Sequence, residues 1–175
     1  TMKHAASSTI DIASVLQRAK HMLDAGQSEH ALEVLAGCGQ HSRVIENAKG
    51  VCLLRLGRLE AALKVFRELV FPGGAFTIPD ETPTVFRANY VTTLLLMDNL
   101  TVGMQLLREI PERRHPLVEQ LDASVRRWKR SLPWWRRVLT WIGLYPARSF
   151  RLDSLPGALW VPESLDGPRP LERAA

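Results

Sequence analysis

Five histidines, at positions 4, 21, 30, 41 and 115, and two cysteines, Cys38 and Cys52, are the residues of this 175-residue chain best suited to metal or nucleophilic chemistry. They are scattered. The nearest approach to a ligand set is Cys38 with His41 and His30, three groups at irregular spacing where a structural zinc asks for four. That stretch reads better as a turn between helices, and no metal is expected. Cys52 stands among Val51, Leu53 and Leu54, the setting of a small buried hydrophobe. The chain carries no phosphate-cradling glycine loop, no paired-histidine helix motif and no nucleophile elbow. The expectation is a protein that is not an enzyme and has no cofactor.

A second concentration of reactive surface is aromatic and cationic. SLPWWRRVLTWIGLYP, residues 131–146, holds three tryptophans, a tyrosine and two adjacent arginines. On a helical wheel Trp134, Trp135, Val138, Leu139, Trp141, Ile142 and Tyr145 fill one arc, with Arg136 and Arg137 on the other side. A helix of about fourteen residues is roughly 21 Å long, too short for a hydrocarbon core of ~30 Å. Three readings stay open for Trp134, Trp135, Arg136, Arg137 and Trp141: packing on the body of the protein, lying on an anionic membrane surface, or docking on a protein partner.

Charge follows the same division. Residues 1–110 hold eleven Lys/Arg and eleven Asp/Glu, whereas residues 111–175 hold twelve and seven, so the whole excess of +5 lies in the last third. Such asymmetry fits an anionic partner; nucleic acid is not expected, because no recognisable binding motif accompanies the cations. Residues 1–20 contain no apolar core of a secretory signal, and no apolar run approaches the length of a membrane span. Thr1 ahead of Met2 reads as a cloning remnant. With two cysteines in no disulfide-like spacing, a cytoplasmic location is expected, with peripheral membrane attachment as the alternative.

The elements that must position these residues are helical. Apolar residues recur with helical period from Ile12 to Leu23, Glu29 to Leu35, Val44 to Leu56, Leu59 to Val70, Val85 to Met97 and Leu100 to Ile110. Gly26 and Gly57 close two of the runs. FPGGAFTIPDETP, residues 71–83, is a loop by its prolines and glycines. His115-Pro116 opens another helix, with Leu117, Leu121, Val125 and Trp128 on one side. Strand signals are weak throughout, and the expected class is all-α, built from short antiparallel helix pairs.

The pairs repeat. NAKGVCLLRLGRLEAALKVFRELV, residues 47–70, resembles the tetratricopeptide repeat: Gly50 matches its small residue, Leu53 the large one, Gly57 the turn, Ala62 the close-packed alanine and Phe66 the aromatic. Ala19, Met22, Gly26, Ala31 and Leu35 make a weaker copy before it, and Val91, Leu94, Asp98, Gly103 and Leu107 a third after it. The turns are spaced by 31 and 41 rather than the family's 34. The organisation expected is a repeat domain with a capping helix over 9–130, the amphipathic basic helix 131–146, and an extended proline-containing tail 147–175.

The resemblance implies a groove, lined by the first helix of each repeat, that holds a peptide or helix of another protein. Matched residue by residue, the groove takes Leu16, Lys20 and Asp24 from the first copy and Asn47, Val51 and Arg55 from the second. The third supplies Ala88, Thr92, Leu95 and Leu96, and Asn89 joins Lys20, Asn47 and Arg55 as a polar candidate in the groove. Family members that grip a terminal carboxylate use a denser cluster of Lys, Asn and Arg, so an apolar or amphipathic ligand is expected here. Small three-repeat chaperones of bacterial secretion systems have a similar size, with different extensions. Phe150, Leu152, Leu155, Leu159 and Trp160 make the tail too apolar for a solvated one. It is expected to lie on the repeats, in the groove as a stand-in for a ligand.

Overall fold

Where apolar residues return every three or four positions, the chain coils to turn them to one side, and each such run is a helix. A computed structural model describes residues 12–39, 41–135, 138, 150 and 156–159, and over these the fold is all-α. The helices are α1 (Ile12–Asp24), α2 (Ser28–Gly37), α3 (Arg43–Arg55), α4 (Leu59–Val70), α5 (Thr84–Leu96), α6 (Leu100–Glu109) and α7 (Pro116–Ser131). Ser42 caps α3, its hydroxyl accepting from the Ile45 N–H at 3.2 Å. Pro116 occupies the first turn of α7, where a missing N–H costs nothing.

Three of these helices end in one way. Gly26, Gly57 and Asp98 follow α1, α3 and α5 with φ of 75°, 72° and 57°. At each, the N–H of the left-handed residue donates three residues back, to Leu23, Leu54 and Leu95, at 3.1, 3.1 and 3.2 Å. The next N–H donates five back, to Met22, Leu53 and Leu94, at 2.8, 2.9 and 2.9 Å. This double closure satisfies the last carbonyls and sends the chain into the following helix. Two of the turns use glycine, for which a positive φ costs nothing; the third uses an aspartate.

Contacts run both along the chain and between alternate helices. Each of α1 to α5 packs on its successor, and α1 also touches α3, α3 touches α5, and α5 touches α7. Inside the α3–α4 pair, a Cβ at Gly50 would stand 2.6 Å from the Phe66 ring, which is itself fully buried. Gly103 plays the same part in the α5–α6 pair, its missing Cβ lying 2.8 Å from Leu95 Cδ2. One apolar cluster spans α1 to α5 and a second spans α5 to α7, so α5 belongs to both. In α7 the residue buried at the first turn is Val118, in line with Leu121, Val125 and Trp128, while Leu117 is only partly covered.

Helix α5 is buried on nearly every side, polar residues included. Its Arg87 is 7% exposed and holds the preceding loop: Nε donates to the Thr82 carbonyl at 3.1 Å, and Nη2 to those of Pro79 and Asp80 at 2.9 and 3.0 Å. A buried guanidinium needs such acceptors. Cys52 lies in the core and burial pushes its thiol up to about 11. No helix among the described residues is long and apolar enough to cross a membrane.

The Gly50–Phe66 contact sets a test in which two effects oppose. Alanine at position 50 gains about 1 kcal/mol of helix propensity, whereas overpacking a closed core costs about 1–3 kcal/mol. Phe66 has nowhere to retreat, so Gly50→Ala lowers stability by about 1 kcal/mol in denaturant melts. Combining it with Phe66→Leu costs less than the sum of the two single changes. Additive losses would mean the ring does not meet position 50.

Candidate functional site

Asparagine is an unusual choice for a helix interior, and α3 and α5 each bury one. Asn47 is fully buried and Asn89 is 2% exposed. Their carboxamides meet, Asn89 Nδ2 donating to Asn47 Oδ1 at 2.8 Å. Most of the remaining capacity of the two amides goes to a single residue far along the chain, Ala158. Asn89 Oδ1 accepts from the Ala158 N–H at 2.9 Å, and Asn89 Nδ2 donates to the Ala158 carbonyl at 2.8 Å. Asn47 Nδ2 donates to the same carbonyl at 3.2 Å. One side chain thus pairs with both main-chain groups of a residue, as a neighbouring strand would.

The flanking residues are held from the same face. Arg55 Nε donates to the Pro156 carbonyl at 3.3 Å, while its Nη1 donates to the Leu23 carbonyl at 3.0 Å, in the last turn of α1. The guanidinium therefore ties the C-terminal end of one helix to the seated segment, where a cation suits the helix dipole. Gly157 lies against Val51 and Leu54: a Cβ there would be 3.2 Å from both Val51 methyls and from Leu54 Cδ2. Its φ of 81° is a second reason for glycine. Leu159 packs on the first apolar cluster.

A further anchor lies at Phe150. It is 3% exposed, and its ring meets Trp128 edge to face with centroids 6.2 Å apart. The Phe150 N–H donates to Asp98 Oδ1 at 3.1 Å. This gives the aspartate of the third turn a purpose that glycine could not serve.

Of the residues that sequence reasoning places in the groove, Asn47, Val51, Arg55 and Asn89 surround residues 156–159. Leu16 instead lies in the core at 2% exposure. Lys20 and Asp24 are exposed and bonded to each other at 2.8 Å, a pairing that holds the Asp24 carboxyl below its usual range. Thr92 turns its hydroxyl back to the Ala88 carbonyl at 2.7 Å, and Leu96 packs partly buried against both clusters. Trp134 and Trp135 are 77% and 48% exposed. Val138 beside them is exposed too, while Arg136, Arg137 and Trp141 lie outside the described residues. Lys129, in the same basic run, has its ammonium pKa lowered by burial and then by Arg108.

Sequence reasoning missed Leu54 and Asp98 as contact residues, along with the part Ala158 plays; Phe150 and Leu159 were expected to lie on the repeats for their apolar side chains, and both do. The signals were an aspartate where the two matching turns carry glycine, and a tail too apolar to be solvated. The Cys38 thiol donates to the Leu35 carbonyl at 3.1 Å, and His41 Nδ1 lies 3.7 Å from a Glu46 carboxylate oxygen. A separate cavity of about 440 Å³ lies between the 71–83 loop, α5 and α6. Its lining includes Arg87, already committed to loop carbonyls, and Tyr90, whose ring meets Phe71 edge to face at 5.8 Å.

Asp98→Gly separates the turn from the anchor. It relieves a left-handed non-glycine residue, so the stability of the helical body is unchanged or rises by up to about 1 kcal/mol. The Phe150 amide, having lost its acceptor, exchanges with solvent several-fold faster by NMR. Asp98→Asn, which keeps an oxygen in place, retains the protection. Equal protection in all three proteins would show that the carboxylate does not hold Phe150.

No protein-family model matches the chain, and searches of curated proteins and of solved structures give no significant match.

Proposed function

We propose that this protein is a non-enzymatic adaptor that holds an extended peptide of a protein partner on the face shared by α3 and α5. One observation carries the reading: two buried carboxamides direct one acceptor and two donors at the main chain of one residue, Ala158. Main-chain capture by fixed side chains suits a peptide, because every residue except proline offers the same N–H and C=O. Val51 and Leu54 add an apolar floor beside it. The three matching turns and the close contacts at Gly50 and Gly103 support a tetratricopeptide-like array, in which this face would be the groove.

Panning a displayed peptide library against the full chain tests the reading. Enriched peptides should lose roughly ten- to a hundredfold in affinity on Asn89→Ala, about 1.5–3 kcal/mol for several lost hydrogen bonds in a dry site. They should be indifferent to Lys20→Ala. Failure to enrich any peptide, or enrichment insensitive to Asn89→Ala, would remove the proposal.

A second reading draws on the exposure of Trp134, Trp135 and Val138 beside a cationic run. Such a surface suits an anionic membrane. All five tryptophans lie between positions 128 and 160, so their fluorescence reports on this region alone. Attachment predicts a blue shift with phosphatidylserine vesicles that weakens in salt and is lost in a Trp134→Ala, Trp135→Ala double variant. Emission that ignores the vesicles excludes it.

A further inference from the structure

The main-chain clamp accepts almost any sequence, but the walls around it do not. Gly157 meets two restrictions at once: a left-handed backbone, and a missing Cβ that would press on Val51 and Leu54 at 3.2 Å. Those two side chains are 0% and 2% exposed and belong to the core, so they have no room to withdraw. The residue after Gly157 gives both main-chain groups to Asn89, which a proline could not do. Leu159 then packs on the core, and before the glycine a carbonyl reaches Arg55. These four positions together read a pattern: any residue, glycine, any residue but proline, and an aliphatic.

Resting on the adaptor reading above, we propose that residues 156–159 are a built-in competitor, and that the partner's peptide presents this same glycine-centred pattern. The physical basis is exclusivity. Asn89 Oδ1, Asn89 Nδ2, Asn47 Nδ2 and Arg55 Nε are all engaged by one segment and cannot serve a second main chain at the same time. A partner therefore binds only in the fraction of molecules whose own segment has left, and its apparent affinity falls by that fraction. The device sets a threshold: a peptide must outbind a covalently attached rival.

The test uses a labelled peptide of residues 149–163, SFRLDSLPGALWVPE, titrated by fluorescence anisotropy against the full chain and two tail variants. Gly157→Val removes the residue that fits the wall, and Ala158→Pro removes the N–H that Asn89 accepts; neither touches a helix. Both should bind the peptide about tenfold or more tightly than the parent chain does. Adding Asn89→Ala to either should abolish the gain. The same peptide carrying Gly157→Val should bind none of the chains, an arm that needs no altered protein. Equal affinity for the parent chain and both variants, still lost on Asn89→Ala, would overturn the competitor while leaving the adaptor reading intact. Absence of binding throughout, or indifference to Asn89→Ala, would overturn both. A gain that tracks the dissociation of a dimer on dilution would also contradict it, since the rival segment would then come from a second copy.

Discussion

A carboxamide taken out of water must find partners for a carbonyl and two N–H groups, or each orphan costs about 1–3 kcal/mol. Asn47 and Asn89 meet that demand only in part through each other. Of the one acceptor and three N–H groups that remain, the acceptor and two of the donors are met by the main chain of Ala158. The α3–α5 face is thus built so that something extended must lie on it. An apolar pair at these positions would fill the same space without that requirement, and this is why the two amides carry the functional argument.

Bringing two amides 42 residues apart to one level is the work of the helical framework. Asn47 lies ten residues before Gly57 and Asn89 nine before Asp98, and the two turns close with the same pair of hydrogen bonds. The close approach at Gly50 keeps α4 against α3, and α4 in turn packs on α5, so the spacing of the two amide-bearing helices rests on glycine and Phe66. Arg87 stabilises the loop that separates them. A structure assembled from local pairs and nearest neighbours in this manner can vary its loop lengths without losing the alignment of a face.

The helices among the described residues were legible because an amphipathic run and a glycine after it are local signals, and their ends fall within two or so residues of the expected ones. Most of the expected helix 131–146 lies outside the described residues. Asn47 and Arg55 were legible as residues of one face only through register, by matching helices across copies; register matches Asn47 with Ala88, and Asn89 one place on was singled out by its polarity. Lys20 and Asp24, chosen by the same register, satisfy each other across one helical turn, an outcome that register alone does not weigh. The burial of Arg87 left no trace in the sequence, since its acceptors are backbone carbonyls of an irregular loop. Nor could Ala158 be singled out: its contacts cross 69 and 111 residues and involve main-chain atoms that every residue shares. The apolar residues of the tail announced that it would lie on the repeats, without saying which of its residues the face would hold.

The central claim is that Asn89 grips a main chain, and the shortest route to it is spectroscopic. In a uniformly labelled sample of the full chain, the Ala158 amide nitrogen and the Asn89 side-chain carbonyl carbon would be joined by a scalar coupling through their hydrogen bond. The account predicts that coupling together with slow solvent exchange of the Asn89 side-chain amide; an excess of unlabelled glycine-centred peptide removes the coupling to Ala158, while the amide, now held by the peptide, stays protected. An Asn89 amide that exchanges as fast as an exposed one, with no coupling to Ala158, would contradict it.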